Sequence, residues 1–561
     1  KKEKVEKLKY QDYENYQERV ITKFNDNLKT GNIISNEDYT IVMDENGNGY
    51  SKYKKIQINR FKRTADTEQG IFFYLKNIKN KRLWTNTKMR FLSKPDKYKI
   101  VFAPDTDKIV RTDGNIETTT KITIAANEPL EIRKLEIKNT GLNEEILEVS
   151  SVLEPIISTK EQDYSHMAFN NLFLKFDVID NIILVKRKAR QQGEKDQYLA
   201  VTLFTEEDTI GDMEFELDKE RLVGRGNLNI PNMIKESKPF SKSIGLFTEA
   251  IVALKRTIKV KPEEKTEMDL LISIGEEKEE VIERIQRYQN KEKIAREFEI
   301  VKARVEAETR YLEIKGSELE TYQKLLSYMF LGNPLRKMEL KKLPKRDYSQ
   351  KELWKYGISG DIPILYVKIK DVNDVYVIEE VLKAYEFARL KNLELDLVIL
   401  NEEENVYEQY VKEQIENLIL NRHISYLKNI PGGIFVLNGN EMSKEDKDLF
   451  SLRSDMVITS EKGDLKTMIE DLEEDYIEQI KNIGMDKNKR EVYSEEKDNY
   501  KKPEFKDLQY FNDYGGFTED GKEYLIKINQ ENKTPTVWSN IMANENFGTL
   551  VTENMGGFTW S

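Results

Sequence analysis

Hydrophobic and polar residues alternate with period two along much of residues 32–275. The clearest alternating segments are 56–58, 130–138, 199–204 and 268–274. Because successive side chains of a strand point to opposite faces of a sheet, this period predicts β-strands. Turn signals such as Asn46–Gly47 and Asp113–Gly114 separate the segments. So many short strands with few helical patterns predict a large antiparallel β-sandwich.

The period changes to a helical one over residues 276–345. Ile294, Phe298, Val301 and Val305 recur at intervals of three or four residues among Glu, Lys and Arg. Ser317 with Glu320 matches the spacing of a capping box, which predicts the start of a second helix. Helical intervals that include Val20 also occur in residues 1–29, where Gly31 offers a stop.

Strand-like and helix-like segments then alternate over residues 346–485. Such alternation predicts a small α/β domain with a largely parallel sheet. The predicted strands are 364–369, 395–400, 434–437 and 455–458, and the predicted helices are about 375–391, about 404–420, a short one capped by Ser443, and 464–482.

Together these patterns predict a multidomain protein of the β plus α/β class. It combines a large antiparallel β-sandwich, a helical linker, a small α/β domain and the start of a second β-sandwich. The expected order is an N-terminal helical segment (1–30), a carbohydrate-binding-like β-sandwich (31–275), the helical linker (276–345), the α/β domain (346–485), a charged linker (486–504) and the beginning of the second sandwich (505–561).

A local sequence repeat supports the prediction that a second sandwich begins at 505–561. Residues 39–53 read YTIVMDENGNGYSKY, and residues 547–561 read FGTLVTENMGGFTWS. Each copy is an apolar strand, a polar turn and an aromatic residue at the start of the next strand. We therefore expect that a second domain begins near the C-terminus and that the chain stops inside it, so part of the function would lie outside these residues.

Composition narrows the function classes. The 561 residues are 34% charged and 38% hydrophobic, with a net charge of −11 and no cysteine. Disulfide scaffolds, thiolate metal sites and cysteine nucleophiles are excluded, and the acidic balance argues against nucleic-acid binding. No apolar run is long enough for a membrane helix and no signal peptide is visible, so we expect a cytoplasmic protein.

Few residues suggest chemistry on their own. The two histidines, His166 before a predicted strand and His423 at a predicted helix end, lack a visible partner group and are interpreted as structural. Gly432–Gly433 precedes a strand, whereas a phosphate loop follows one, so a plain turn is predicted. The GRGN segment at 224–227 is interpreted as a hairpin or bulge between strands.

Aromatic residues and one junction segment remain open to two interpretations. The four tryptophans could stack on sugars, although core or interface packing is favoured for each of Trp84, Trp354, Trp538 and Trp560. The segment LWKYGISGDIPI at 353–364 is interpreted mainly as a junction between the linker and the α/β domain, with a functional role kept open. The sequence thus assigns no catalytic, cofactor-binding or metal-binding residue.

Seven segments in order resemble one enzyme family, the phosphorylase portion of cyclic β-1,2-glucan synthases and the related 1,2-β-oligoglucan phosphorylases of glycoside hydrolase family 94. They are ENGNGYSKY (45–53), IFFYLKN (71–77), RLVGRGN (221–227), LWKYGISGDIPI (353–364), LDLVILNE (395–402), GGIFVL (432–437) and YFNDYGGFTEDGKEYLIKI (510–528).

The resemblance implies a β-sandwich, a helical linker, an α/β domain, a second sandwich and then an (α/α)6 barrel that carries the catalytic acid. It implies inverting phosphorolysis of β-1,2-glucosidic bonds, with inorganic phosphate as co-substrate and no metal or organic cofactor. It also implies a β-1,2-glucan or related oligosaccharide as partner, and either a homodimer or a separate barrel chain. No family catalytic residue can be placed here, because the sequence ends at Ser561 before any barrel.

Three hypotheses follow. The first is a non-catalytic N-terminal portion of such an enzyme, and the second is a stand-alone carbohydrate-binding or scaffold subunit from a split gene. The third, a nucleotide-dependent transferase, is disfavoured because no phosphate loop follows a predicted strand.

Overall fold

The structure is a computed structural model. It describes residues 18–24, 28–61, 68–89, 92–190, 193–224, 227–332, 334–336, 340, 349–403, 409–487, 507–529 and 533–561, with backbone only for 482–487. The charged linker predicted at 486–504 lies almost wholly outside these residues, as do the first seventeen residues of the predicted N-terminal helix and part of the GRGN segment.

Three antiparallel sheets make up the first half of the chain. Their strands are β1 (Arg19–Ile21), β2 (Gly31–Ser35), β3 (Tyr39–Asp44), β4 (Gly49–Tyr53), β5 (Ile56–Asn59), β6 (Phe72–Asn77), β7 (Leu83–Thr85), β8 (Lys97–Phe102), β9 (Asp107–Asp113), β10 (Ile116–Ile124), β11 (Leu130–Asn139), β12 (Glu145–Leu153), β13 (Pro155–Ser158), β14 (Leu174–Ile179), β15 (Ile182–Arg187), β16 (Gln197–Phe204), β17 (Glu214–Asp218), β18 (Ala250–Val260) and β19 (Lys265–Gly275).

A nine-stranded sheet, in the order β1-β8-β9-β10-β11-β19-β16-β15-β14, forms one layer. Two five-stranded sheets, β17-β18-β12-β6-β7 and β13-β5-β4-β3-β2, face it. The main apolar core contains residues from all three sheets, among them Ile34, Phe73 and Leu270. The predicted large antiparallel sandwich is confirmed.

Helices cover the outer faces of these sheets. They are α1 (Lys160–Ser165), α2 (Met167–Asn171), α3 (Lys219–Val223), α4 (Asn232–Lys235), α5 (Lys278–Tyr288), α6 (Lys291–Tyr311) and α7 (Gly316–Leu331). Val281 and Ile285 of α5 share a buried cluster with Leu271 of the nine-stranded sheet. Leu319 and Leu326 of α7 share another with Ile33. These helices therefore bury apolar sheet surface as well as connecting the chain.

A four-stranded parallel sheet follows, in the order β22-β21-β20-β23. Its elements are β20 (Ile364–Ile369), α8 (Val375–Leu390), β21 (Asp396–Asn401), α9 (Tyr410–Asn421), β22 (Ile434–Asn438), α10 (Lys444–Arg453), β23 (Met456–Thr459) and α11 (Leu465–Lys487). The predicted parallel α/β fold is confirmed, and Ser443 caps α10 by accepting from the Asp446 N–H at 3.1 Å.

Two small antiparallel sheets lie near the C-terminus. They comprise β24 (Gly515–Phe517) with β25 (Tyr524–Ile526), and β26 (Ser539–Ala543), β27 (Gly548–Thr552) and β28 (Gly557–Trp560). The repeated sequence forms a β-hairpin in both copies, which confirms the predicted strand–turn–strand pattern. The extents proposed for the individual domains stay a prediction.

The predicted N-terminal helix is wrong at Arg19–Ile21, which pairs with β8 as strand β1. Val20, counted in the helical stripe, is 59% exposed, whereas Arg19 is buried and donates to the Gly31 carbonyl at 2.6 Å. The apparent helical spacing therefore does not mark a buried face. The backbone N–H and C=O groups of this segment form their hydrogen bonds with the sheet edge instead of within a helix.

Three local predictions also need correction. Helix α7 begins before Ser317, because the Glu318 carboxylate accepts from the Lys315 N–H at 2.7 Å and so satisfies the helix start. Gly224 ends helix α3 with φ 56°, so the described part of GRGN is a helix end rather than a hairpin between strands. His166 lies between the short helices α1 and α2, not before a strand.

Candidate functional site

A cleft of about 550 Å³ lies where the first sandwich, helix α7 and the α/β domain meet. Its volume falls within the range of small-molecule sites. The lining residues are Glu37, Asp38, Tyr50, Lys52, Lys54, Lys55, Gln57, Phe61, Thr159, Lys160, Glu161, Phe330, Asp361, Ile362, Pro363, Asn392 and Glu394.

Strand β4 supplies two of the lining side chains through its alternation. Gly49, Ser51 and Tyr53 are buried toward the sandwich, and Tyr50 and Lys52 between them are half-buried and line the cleft. Since neighbouring side chains of a strand lie on opposite faces, the same five residues build the core and the cleft wall.

Aromatic rings form an apolar wall. The rings of Tyr50 and Phe61 lie 5.5 Å apart at an interplanar angle of 31°. Phe330, near the end of α7, lines the same cleft and is half-buried. This wall offers flat apolar surface beside the polar groups of the cleft, a combination that suits ligands with both apolar faces and hydroxyl groups.

Lys52 links the sandwich side of the cleft to the side formed by the α/β domain. Its Nζ donates to the backbone carbonyl of Asn392 at 2.6 Å, across 340 residues of sequence. Burial lowers the pKa of Lys52 to about 8, and the carboxylate of Glu394 opposes that shift. The amine is therefore held at the domain junction by a backbone acceptor and by a nearby negative charge.

The junction segment at 353–364 contributes a wall of the cleft. Asp361, Ile362 and Pro363 line it directly. The Gln350 side chain donates to Asp361 Oδ1 at 2.8 Å and to the Ser359 carbonyl at 2.8 Å, which fixes the loop. Any functional role of this segment would therefore be exerted at the cleft. Trp354, within the segment, is 57% exposed and donates to the Ser359 carbonyl at 3.3 Å.

The Gly432–Gly433 pair forms a turn that enters β22. Gly432 has φ 72°, its N–H donates to Asp396 Oδ1 at 2.8 Å, and its carbonyl accepts from the Tyr385 hydroxyl at 2.6 Å. A side chain on Gly433 would lie 2.1 Å from the Leu427 carbonyl oxygen. Gly432 is therefore favoured by its backbone conformation and Gly433 by packing, and the prediction of a plain turn is confirmed.

The remaining candidate residues do not meet in this cleft. His166 and His423 are both exposed and neither lines it. Trp84 is buried in the sandwich core, whereas Trp538 and Trp560 belong to the C-terminal region. Among the residues that the structure describes, no group of three or more histidine or carboxylate side chains could hold a metal ion.

One fully buried carboxylate, that of Glu131, stabilises the core. Glu131 accepts from the hydroxyls of Tyr39 at 2.7 Å and Ser51 at 2.6 Å, and it pairs with Arg133. Burial, followed by the Glu131 charge, raises the pKa of Tyr39. A buried carboxylate that is saturated by internal donors stabilises the β3–β4 hairpin and is not free to act on a ligand.

The sequence analysis assigned no role in a binding site to Tyr50, Lys52, Phe61, Phe330 or Asn392. The alternation of GYSKY at 49–53 does indicate that Tyr50 and Lys52 share one face of a strand. Nothing in the sequence indicates that this face meets Asn392, because the contact depends on how the α/β domain packs against the sandwich.

Comparison with known proteins identifies the family. The family model described as "Glycosyl hydrolase 94, supersandwich domain" matches residues 14–291 and 522–561. This chain therefore belongs to the glycosyl hydrolase 94 family, and the resemblance seen in the sequence is confirmed. The second matched range includes the C-terminal sheet β26-β27-β28.

One curated relative aligns with nearly the whole chain. It is the cyclic β-(1,2)-glucan synthase NdvB of Rhizobium meliloti (strain 1021), 25% identical over 538 residues. The alignment covers 94% of this chain and 19% of the relative, so the chain spans about a fifth of that protein's length.

Solved structures show only loose likeness. A bacterial glucoamylase complexed with acarbose aligns with 59% of this chain and 43% of its own, at 11% identity and a TM-score of 0.31. A putative kojibiose phosphorylase from the human microbiome aligns with 57% of this chain and 42% of its own, at 8% identity and a TM-score of 0.32. At TM-scores this low, neither likeness carries an argument about function.

Across the described residues, no helix has the length and apolar character that crossing a membrane requires.

Proposed function

We propose that this chain is a non-catalytic N-terminal portion of a β-1,2-glucan-active enzyme and that its cleft binds the glucan chain. The observation that carries the proposal is the pair of adjacent rings of Tyr50 and Phe61, which line a cleft of about 550 Å³. Membership of the glycosyl hydrolase 94 family and the alignment with a cyclic β-(1,2)-glucan synthase support β-1,2-glucan as the ligand.

The chemistry of the cleft suits a neutral oligosaccharide. Aromatic rings offer an apolar surface to the C–H face of a pyranose ring, and surrounding polar groups satisfy its hydroxyls. Tyr50 and Phe61 provide the apolar surface. Lysine and carboxylate side chains both line the cleft, Lys54 and Lys55 beside Glu37 and Asp38, so no single sign of charge dominates.

The proposal assigns no bond cleavage to this chain. Inverting transfer to phosphate needs a general acid on one side of the sugar and phosphate on the other. The test is to incubate the purified chain with linear β-1,2-gluco-oligosaccharides and inorganic phosphate and to measure the glucose 1-phosphate that is released. We expect none above a protein-free control, and release that scales with protein concentration would contradict the non-catalytic role.

Binding is tested separately by titration calorimetry. Linear β-1,2-gluco-oligosaccharides should give a saturable signal, and β-1,4-linked oligosaccharides of equal length should bind more weakly. Absence of a saturable signal for the β-1,2 series would contradict the glucan-binding part of the proposal, independently of the phosphorolysis result.

A further inference from the structure

Helix α1 begins in the wall of the cleft and continues beyond it. Thr159, which caps the helix, and the first two helical residues, Lys160 and Glu161, all line the cleft. From there the helix runs on to Ser165. One further turn of helix thus prolongs this wall past the lining residues.

Two polar contacts fix the rotation of α1 about its axis. The Arg60 guanidinium donates to both carboxylate oxygens of Asp163, at 3.1 and 2.8 Å, and both side chains are largely buried. Arg187 Nη2 donates to Gln162 Oε1 at 3.0 Å. Gln162 and Asp163 therefore face the sandwich, and the two-pronged ion pair restricts the orientation of the helix.

The other face of α1 carries an exposed tyrosine. Tyr164 follows Lys160 by four residues and Glu161 by three, so these three side chains share one face of the helix. Tyr164 lies about one turn, ~5.4 Å, further along that face, and its side chain is 59% exposed. The face of α1 that lines the cleft thus continues into solvent as an aromatic ring.

The ion pair also ties this ring to the aromatic wall of the cleft. Phe61, whose ring lies 5.5 Å from that of Tyr50, directly follows Arg60 in the sequence. Tyr164 directly follows Asp163. Each ring is therefore attached next to one member of the same buried ion pair, which fixes the position of Tyr164 relative to the Tyr50–Phe61 wall.

We propose that Tyr164 is an additional sugar-stacking residue at the mouth of the cleft and that it makes glucan binding depend on chain length. The inference rests on the proposed function of the cleft. A tyrosine ring offers an apolar face to a pyranose ring, as the rings inside the cleft do. Short β-1,2-gluco-oligosaccharides bind within the cleft alone, and longer ones also reach Tyr164.

The test is titration calorimetry of the full chain with linear β-1,2-gluco-oligosaccharides of increasing length. Tyr164→Ala should leave the affinity for the shortest oligosaccharide that the wild type binds unchanged. It should weaken binding of the longest about two- to tenfold, because one stacked ring is lost. Tyr164→Phe keeps the ring and should bind every length as the wild type does.

Tyr311→Ala is the matched control for the loss of an exposed ring. Tyr311 is 83% exposed and ends helix α6, at the opposite end of α7 from the cleft, so its removal should change binding at no length. Circular dichroism checks that all variants fold. Hydrogen exchange gives a second measurement, in which the longest oligosaccharide should protect the amides of residues 160–165 and the shortest should not.

Two results would overturn the inference and leave the glucan-binding cleft intact. One is equal affinity of Tyr164→Ala and the wild type for the longest oligosaccharide. The other is a loss of affinity in Tyr164→Ala that is the same at every length, since that would show a structural role of the side chain. Absence of binding by the wild type at any length would contradict the proposed function itself, and this inference with it.

Discussion

The Nζ atom of Lys52 donates to the backbone carbonyl of Asn392 at 2.6 Å and so ties strand β4 of the sandwich to the α/β domain. Lys391, the preceding residue, is also buried, and its Nζ donates to the Pro104 carbonyl at 3.2 Å. The Lys391 carbonyl in turn accepts from the Thr40 hydroxyl at 3.1 Å. Three polar contacts thus fix this one loop of the α/β domain against the sandwich.

Replacement of Lys52 by methionine should change how stability depends on pH. Burial lowers the pKa of Lys52 to about 8, from 10.5 in the unfolded chain. Between these values the folded state binds fewer protons than the unfolded state, so stability rises with pH over this window. The wild type should therefore gain stability relative to Lys52→Met between pH 8 and 10.5, by at most about 3 kcal/mol.

Chemical denaturation at several pH values measures this difference. Lys55→Met, on the same hairpin but exposed, is the matched control and should follow the wild-type curve. A difference between wild type and Lys52→Met that stays constant from pH 7 to 10.5 would show that the amine is not held in a desolvated site.

Asp107 should produce the opposite dependence at lower pH. Burial raises its pKa from 3.8 to about 7, and its Oδ1 accepts from the Asn32 side chain at 2.7 Å. The folded state retains the proton on Asp107 to higher pH than the unfolded state does. The stability that this protonated carboxyl group contributes is therefore complete below about pH 4 and is lost as the pH rises through 7. Asp107→Asn should remove this loss, which amounts to at most about 4 kcal/mol.

Thermal or urea unfolding between pH 4 and 8 provides the measurement. The exposed Asp38→Asn variant serves as the control and should leave the wild-type slope unchanged. If Asp107→Asn and the wild type lose stability in parallel over this range, the carboxyl group of Asp107 is ionised throughout and the prediction is wrong.

The internal repeat allows one substitution to be compared at two matched positions, because Ile541 pairs with Leu550 in the second copy as Ile33 pairs with Val42 in the first. Ile33→Ala removes a fully buried side chain and should lower the free energy of unfolding by about 2–5 kcal/mol. Ile541→Ala, at the equivalent position of the second sheet, removes a side chain that is 61% exposed and should cost about 0.5 kcal/mol or less. Urea denaturation of both variants checks the contrast, and equal losses would show that Ile541 is buried in solution.

The local pattern of hydrophobic residues predicted most strands and helices, because a strand repeats every two residues and a helix every three or four. The alternation at 130–138 and the apolar run at 364–369 both correspond to strands, β11 and β20. At the N-terminus the pattern failed, since three residues are too few to distinguish a strand from a helical turn, and the pairing of Arg19 with Phe102 depends on a distant strand.

The candidate site was harder to predict than the fold. Its wall is formed by Tyr50 and Phe61, its polar link by Lys52 and Asn392, and its far side by the junction at 361–363. The junction segment is distinctive in sequence, and Tyr50 and Lys52 lie in the repeated segment 39–53, but neither pattern indicates a cleft. The other residues are ordinary aromatic and charged types whose role comes from the packing of three separate parts of the chain.

The central claim is tested most directly by titrating linear β-1,2-gluco-oligosaccharides into the wild type, Tyr50→Ala and Phe61→Ala. Loss of one ring removes stacking worth about 0.5–1.5 kcal/mol, so each variant should bind about two- to tenfold more weakly. Trp354→Ala, an exposed aromatic residue outside the lining of the cleft, should bind as the wild type does. Saturable wild-type binding weakened by the two cleft substitutions alone is the predicted result. Binding that is absent, or that is unchanged in Tyr50→Ala and Phe61→Ala, would contradict the account.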